Sequence, residues 1–90
     1  MMYAVEIAEA AKETLSKLPS KIQRQIVKKI DKLAHNPRPA NCTRLTQDTS
    51  KYRIRSGDYR IIYEIHDKKV VVLVLKIGDR KDVYKHFFGR

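Results

Sequence analysis

The chain has 90 residues, with 20 Lys and Arg against 10 Asp and Glu, and a formal charge of +10 at pH 7. Its 42% hydrophobic and 33% charged residues are a globular composition, and the length fits one domain over residues 1–90. No apolar run approaches the ~20 residues of a membrane span, the single Cys42 excludes an internal disulfide and an all-Cys metal cage, and so small a core leaves little room for a deep cavity. What remains is a shallow basic surface suited to a polyanion. Nucleic acid ranks first as partner, an acidic protein second, and a membrane surface a distant third.

The opening stretch, Met1 to Lys17, interleaves Glu6, Glu9 and Glu13 with short apolar pieces. It has no basic start and no continuous apolar segment, so it predicts no signal peptide and a cytoplasmic protein. Tyr3-Ala4-Val5-Glu6-Ile7 alternates as a short strand does. Ala8 to Lys17 follows with helical spacing, Ala8, Ala11, Leu15 and Leu18 along one stripe, and Pro19 breaks it. Ser20 and Gln23 have the spacing of a capping box, which predicts a second helix starting there. Its apolar stripe is Ile22, Ile26, Ile30 and Leu33, and Lys21, Arg24, Lys28, Lys29 and Lys32 cover much of the rest. Asn36-Pro37 ends it. Two helices joined so closely should pack as an antiparallel hairpin.

The remainder reads as strands. Thr43–Leu45 reads as a short strand. In Lys51-Tyr52-Arg53-Ile54-Arg55 the alternation is strict, with Tyr52 and Ile54 inward and the three cations outward. Ser56-Gly57-Asp58 signals a turn. Tyr59, Ile61, Tyr63 and Ile65 form the next inward face, opposite Arg60, Ile62 and Glu64. Asp67-Lys68 turns the chain again, and Val70–Leu75 is an unbroken apolar run of the kind a central strand carries. Gly78 ends it, and Asp79–Phe88 forms a tail of one helical turn or an edge strand. The order β-α-α-β-β-β-β predicts an α+β fold, a helical hairpin packed on one face of a mostly antiparallel, four- to five-stranded twisted sheet.

The other face of that sheet would display arginines. Arg53 and Arg55 point the same way, and Arg60 lies on the paired strand near the turn. Like charges so placed repel unless an anion bridges them. A phosphate site would need this arrangement, although charge runs are also simply solvated. Further on, Arg80 and Tyr84 share a face if the tail forms a helical turn. Tyr84 could stack on a base or move a proton, or cap the core as amphipathic residues commonly do.

The stretch from Tyr52 to Ile65, YRIRSGDYRIIYEI, resembles the core signature of RelE-type toxins, and Val70–Tyr84, VVVLVLKIGDRKDVY, resembles the same family's final strand and tail. The helix pair matches as well. The resemblance implies a toxin of a type II toxin–antitoxin system, a metal-independent and cofactor-free endoribonuclease. Such toxins enter the A site of the small ribosomal subunit and cut the mRNA there. The reaction it implies is attack of a ribose 2′-hydroxyl on the adjacent phosphorus, giving a cyclic phosphate and a free 5′-hydroxyl. That chemistry needs a proton acceptor, a proton donor and cations for the phosphorane. By the same resemblance Arg60 and Arg80 contact phosphate and stabilise charge, and Tyr84 stacks on or orients the nucleotide. Lys51, Lys76 and Lys81 join Arg53, Arg55 and Arg60 as RNA contacts. Arg53 and Arg55 stand where the best-known members carry lysine. An arginine does not release its proton, so these two bind phosphate or stabilise charge, and the proton acceptor is left unassigned. Tyr84 could serve if nearby arginines lower its pKa.

The resemblance also implies a cognate antitoxin whose acidic, partly disordered segment covers the basic surface. Two other readings remain, a ParE-like toxin that inhibits DNA gyrase without cutting RNA, and a degenerate nucleic-acid-binding module. Elsewhere, His35 ends a helix, His66 opens a turn, and His86 lies in the tail where some relatives place a catalytic histidine. The three show no metal-ligand spacing. Cys42 reads as a small packing residue, and Phe87 and Phe88 as a pair that packs on the helices or meets the antitoxin.

Overall fold

The computed structural model describes residues 2–45 and 50–79. Seven elements run in the order β1 (Ala4–Ile7), α1 (Glu9–Ser16), α2 (Ser20–His35), β2 (Thr43–Arg44), β3 (Lys51–Ser56), β4 (Tyr59–His66) and β5 (Val71–Asp79). The strands form one five-stranded sheet in the spatial order β1-β5-β4-β3-β2. β1 is parallel to β5 and every other pairing is antiparallel. The sheet is thus mixed, with the first and last strands side by side, an adjacency that the helical segment between β1 and the rest of the sheet makes possible.

The core forms where helical and strand periodicities meet. Ala11 of α1 and Ile26, Ile30 and Leu33 of α2 pack with Tyr52, Ile54, Ile61, Tyr63, Ile65, Val72, Val74 and Ile77. The predicted inward faces of β3 and β4 are therefore the ones that meet the helices. Neither helix is long and apolar enough to cross a membrane.

Three local expectations change. The capping box at Ser20 does not form. Pro19 is the N-cap, and the Gln23 amide donates to the Leu18 carbonyl at 2.9 Å instead. Val70 belongs to the β4–β5 turn and not to the strand. It sits at φ 57°, donates its N–H to the Asp67 carbonyl at 3.1 Å, and accepts from the Ala4 N–H at 2.9 Å. Gly78 does not end the strand, which runs to Asp79. A bulge lies within it. Ile62 pairs with Lys76 and Tyr63 with Val74, which leaves Leu75 as the extra residue. The bulge resets the alternation, so Val74 and Ile77 both reach the core.

The segment between α2 and β2 is tied to the sheet by a polar network. The Arg38 guanidinium holds Asp67 through two bonds of 2.8 and 3.3 Å, donates to the Tyr52 hydroxyl at 3.1 Å, and lies over the Tyr52 ring. Tyr3 donates to Asp67 at 2.7 Å. Hydrogen bonds from Arg38 and Tyr3 bring the Asp67 carboxyl down to about 2. Tyr52 stacks on Tyr63, whose buried hydroxyl donates to the Pro37 carbonyl at 2.7 Å. Burial, with Cys42 and Tyr52 alongside, pushes the Tyr63 phenol far above its ordinary range, so it remains a neutral donor. Cys42 itself is a free thiol packed against the core.

Candidate functional site

The face turned away from the helices is organised by the β3–β4 hairpin. The two-residue turn Gly57-Asp58 joins Ser56 to its partner Tyr59, and Gly57 adopts φ +60°, which glycine accepts at little cost. That turn fixes the register and places Arg55 directly opposite Arg60. One rung further from the turn, Ile62 lies between Arg53 on β3 and Lys76 on β5. Gly78 is the other neighbour of Arg60 and brings no side chain to the face. Arg53, Arg55, Arg60 and Lys76 thus form a cationic cluster on one end of this face.

The members differ in depth. Arg55 is exposed and Arg53 half-buried, but Arg60 is only 6% exposed. The expectation that all three arginines are displayed outward is corrected for Arg60, which is sunk into the face. Ile62, one step along β4, is fully buried although it lies outside the core cluster beneath the helices. This face is therefore partly apolar and not a plain solvated surface. Arg53 donates to the Thr43 hydroxyl at 3.3 Å, which steadies one side of the cluster from β2.

The next rung carries the opposite sign. Glu64 is the register partner of Lys51, whose ammonium lies 3.2 Å from one carboxylate oxygen. His66 Nε2 lies 2.9 Å from the other. Burial alone would push the Glu64 carboxyl up. The hydrogen bonds from His66 and Lys51 outweigh it, so the net shift is downward and Glu64 is ionised at neutral pH. Lys51 shares the face with the arginines but is engaged by Glu64. Beyond this rung, Glu6, His66, Lys69, Val71 and Leu73 line a shallow groove of about 240 Å³.

The hairpin thus brings Arg53, Arg55 and Arg60 together, with Lys76 adjacent and Lys51 at the margin. Arg80, Lys81, Tyr84, His86, Phe87 and Phe88 lie outside the described residues. Among the described residues no group of three His, Cys, Asp or Glu gathers as metal ligands. Sequence reading missed the Lys51–Glu64–His66 cluster and the Arg38 network. The first was legible in part, because a two-residue turn makes Lys51 and Glu64 cross-strand neighbours. The second joins residues from Tyr3 to Asp67, and no local pattern announces it.

A cluster of guanidiniums on a sheet face is suited to holding phosphate groups along a strand of nucleic acid. The family model described as "ParE toxin of type II toxin-antitoxin system, parDE" matches residues 5–84. The chain is 37% identical to the mRNA interferase toxin RelE of Escherichia coli K12 over 93 residues, covering 100% of this chain and 98% of that protein. A chain in the archaeal RelE–RelB complex from Pyrococcus horikoshii superposes with a TM-score of 0.80 at 34% identity, covering 89% of this chain and 97% of that one. A chain of the intact E. coli RelBE toxin–antitoxin complex superposes with a TM-score of 0.74, also at 34% identity, covering 87% and 96%. On both sequence and fold, the chain belongs to the RelE/ParE family of type II toxin–antitoxin toxins.

Proposed function

We propose that this toxin is a ribosome-dependent endoribonuclease that cuts mRNA in the A site, and that a RelB-like antitoxin neutralises it. The observation that carries the reading is the Arg55–Arg60 pair, directly opposed on one face with Arg60 nearly buried. Like charges so placed destabilise the sheet. An anion held between them offsets that cost, and the charge that grows on a phosphorane offsets it further.

In this reading the ribose 2′-oxygen attacks the adjacent phosphorus and gives up its proton. The bond from phosphorus to the 5′-oxygen breaks, and that oxygen takes a proton. The products are a 2′,3′-cyclic phosphate and a 5′-hydroxyl. Arg60 stabilises the phosphorane oxygens, because its burial removes the water that would screen it. Arg55 and Arg53 hold the phosphates on either side, and Lys76 lies beside them. Arg80 and Tyr84 are assigned to charge stabilisation and nucleotide stacking. None of the arginines gives up a proton at neutral pH. The 2′-hydroxyl proton therefore passes to a group other than Arg53, Arg55 and Arg60, with Tyr84 the candidate on this chain. Positioning of the message by the ribosome supplies part of the rate.

The family model is described by ParE, which favours a second reading, a toxin that acts by binding gyrase. Primer extension on a reporter mRNA in a purified translation system separates the two. Cuts at A-site codons that require ribosomes and vanish with Arg80→Ala support the nuclease. Intact message with folded wild-type protein rejects it, and supercoiling by gyrase becomes the next assay.

A further inference from the structure

The face that carries the arginines has a second end. On β4 the side chains of Arg60, Ile62, Glu64 and His66 all point away from the helices, since Ile61, Tyr63 and Ile65 between them are core. His66 lies about 20 Å along the strand from Arg60. Between the two ends, Lys51 and Glu64 pair and offset each other's charge. Past that rung lies the groove of about 240 Å³. Its floor is Val71 and Leu73 of β5, both half-buried. Glu6, the register partner of Leu73 on β1, stands on one side. His66, the register partner of Val71 on β4, stands on the other, roughly 10 Å away by two strand spacings. Lys69 of the β4–β5 turn completes the lining. Glu64 holds His66 through Nε2 at 2.9 Å, which steadies the ring. Glu6 and Lys69 are exposed, and among the described residues neither is in an ion pair.

We infer that this groove is a subsite for one nucleobase of the RNA strand, guanine by its hydrogen-bonding pattern, outside the codon that is cut. The inference rests on the nuclease reading and adds a sequence preference to it. An apolar floor beside an imidazole ring suits the flat face of a base. The Glu6 carboxylate only accepts hydrogen bonds, and guanine alone offers it two adjacent donors, N1–H and the N2 amino group. Adenine and cytosine offer one amino group beside an acceptor nitrogen, and uracil offers one N–H between two carbonyls. The Lys69 ammonium only donates, which matches the O6 and N7 acceptors of guanine. A phosphate is the wrong occupant, because Glu6 and Glu64 repel it. They repel an acidic protein segment for the same reason. The strand reaches the groove from the arginine end. The separation of about 20 Å corresponds to roughly three nucleotides when the strand is drawn out to about twice its ~3.4 Å stacked rise.

The test titrates the full chain with 2′-O-methylated RNA oligonucleotides, which cannot be cut, and follows backbone amides by two-dimensional NMR. One probe is all uridine, and the others carry a single guanine, adenine or cytosine at each successive position. A guanine at one position should move the amides of Glu6, His66 and Leu73 and tighten binding about tenfold over the all-uridine probe, the scale of one good bidentate base contact. In Glu6→Gln that preference should fall to about twofold or less, because a Gln amide sets an N–H against the donor edge of guanine. Glu13→Gln on α1, remote from the groove, should keep the full preference. Groove amides that no oligonucleotide moves would overturn the inference, as would equal shifts with all four bases. Shifts produced by polyglutamate and not by RNA would also overturn it and assign the groove to a protein. Cleavage is scored separately on ribosomes. A guanine-selective groove in a protein that leaves the message intact would reject the nuclease and leave the subsite standing, and cleavage with an unselective groove would do the reverse.

Discussion

Replacing Arg60 by Gln keeps a polar side chain, though a shorter one, and removes the charge. The size of the effect follows from burial. Two unit charges about 4 Å apart interact by about 1 kcal/mol in water and about 4 kcal/mol where the effective dielectric constant is near 20. At 6% exposure Arg60 belongs to the second regime, and the exposed Arg55 lies nearer the first. Each 1.36 kcal/mol is roughly a factor of ten in rate. Arg60→Gln should therefore slow cleavage by about 100- to 1,000-fold, the range seen when one fixed donor to a transition-state oxyanion is lost. Arg55→Gln should cost roughly tenfold or less. The assay is single-turnover cleavage of a reporter mRNA on saturating ribosomes, with circular dichroism and urea unfolding run on each variant. Arg60→Lys should recover only part of the rate, because an ammonium lacks the planar fork. If Arg55→Gln costs as much as Arg60→Gln in folded protein, burial does not set the strength of this site and the reasoning fails.

Other variants address the fold. Tyr63→Phe keeps the ring but strands the Pro37 carbonyl, and should cost about 1–3 kcal/mol, read as a lower urea midpoint at unchanged slope. An unchanged midpoint would show that the bond contributes nothing. Glu64 has a folded pKa below its unfolded value, so its contribution is full above the unfolded carboxylate range and is lost as pH falls through the folded pKa. Glu64→Gln should accordingly lower stability at neutral pH and flatten its decline on the acid side, and an acid limb as steep as wild type would contradict the assignment. Gly57→Ala should cost about 1 kcal/mol, purely from the positive φ, since nothing lies within 4 Å of the added carbon. Val70 holds a similar φ with a β-branched side chain, so Val70→Asn should raise stability by up to about 1 kcal/mol, read as a higher urea midpoint. A fall would show that the half-buried valine side chain packs to more effect than its backbone is strained.

The sequence by itself determined which residues share a face. Strict alternation put Tyr52 and Ile54 against the helices and Arg53 and Arg55 away from them, because side chains on a strand have period two. The stripe Ile22, Ile26, Ile30 and Leu33 likewise settled how α2 lies, because helical spacing admits one buried side. The turn signal Ser56-Gly57-Asp58 put Arg60 on the strand paired with that of Arg55, and the structure set the register that makes the two direct partners. Only the tertiary structure decided how deep each arginine sits, since burial depends on what lies over and beside a residue and not on its own neighbours in sequence. It alone placed β1 beside β5, because strand order is a matter of long-range pairing. It alone showed the bulge at Leu75, which moves Ile77 into the core where a continued alternation from Val74 would have turned it outward. Arg38 gave no signal in sequence. Its partners Tyr52 and Asp67 are brought to it by the fold, and a polar network of that kind has no period to detect.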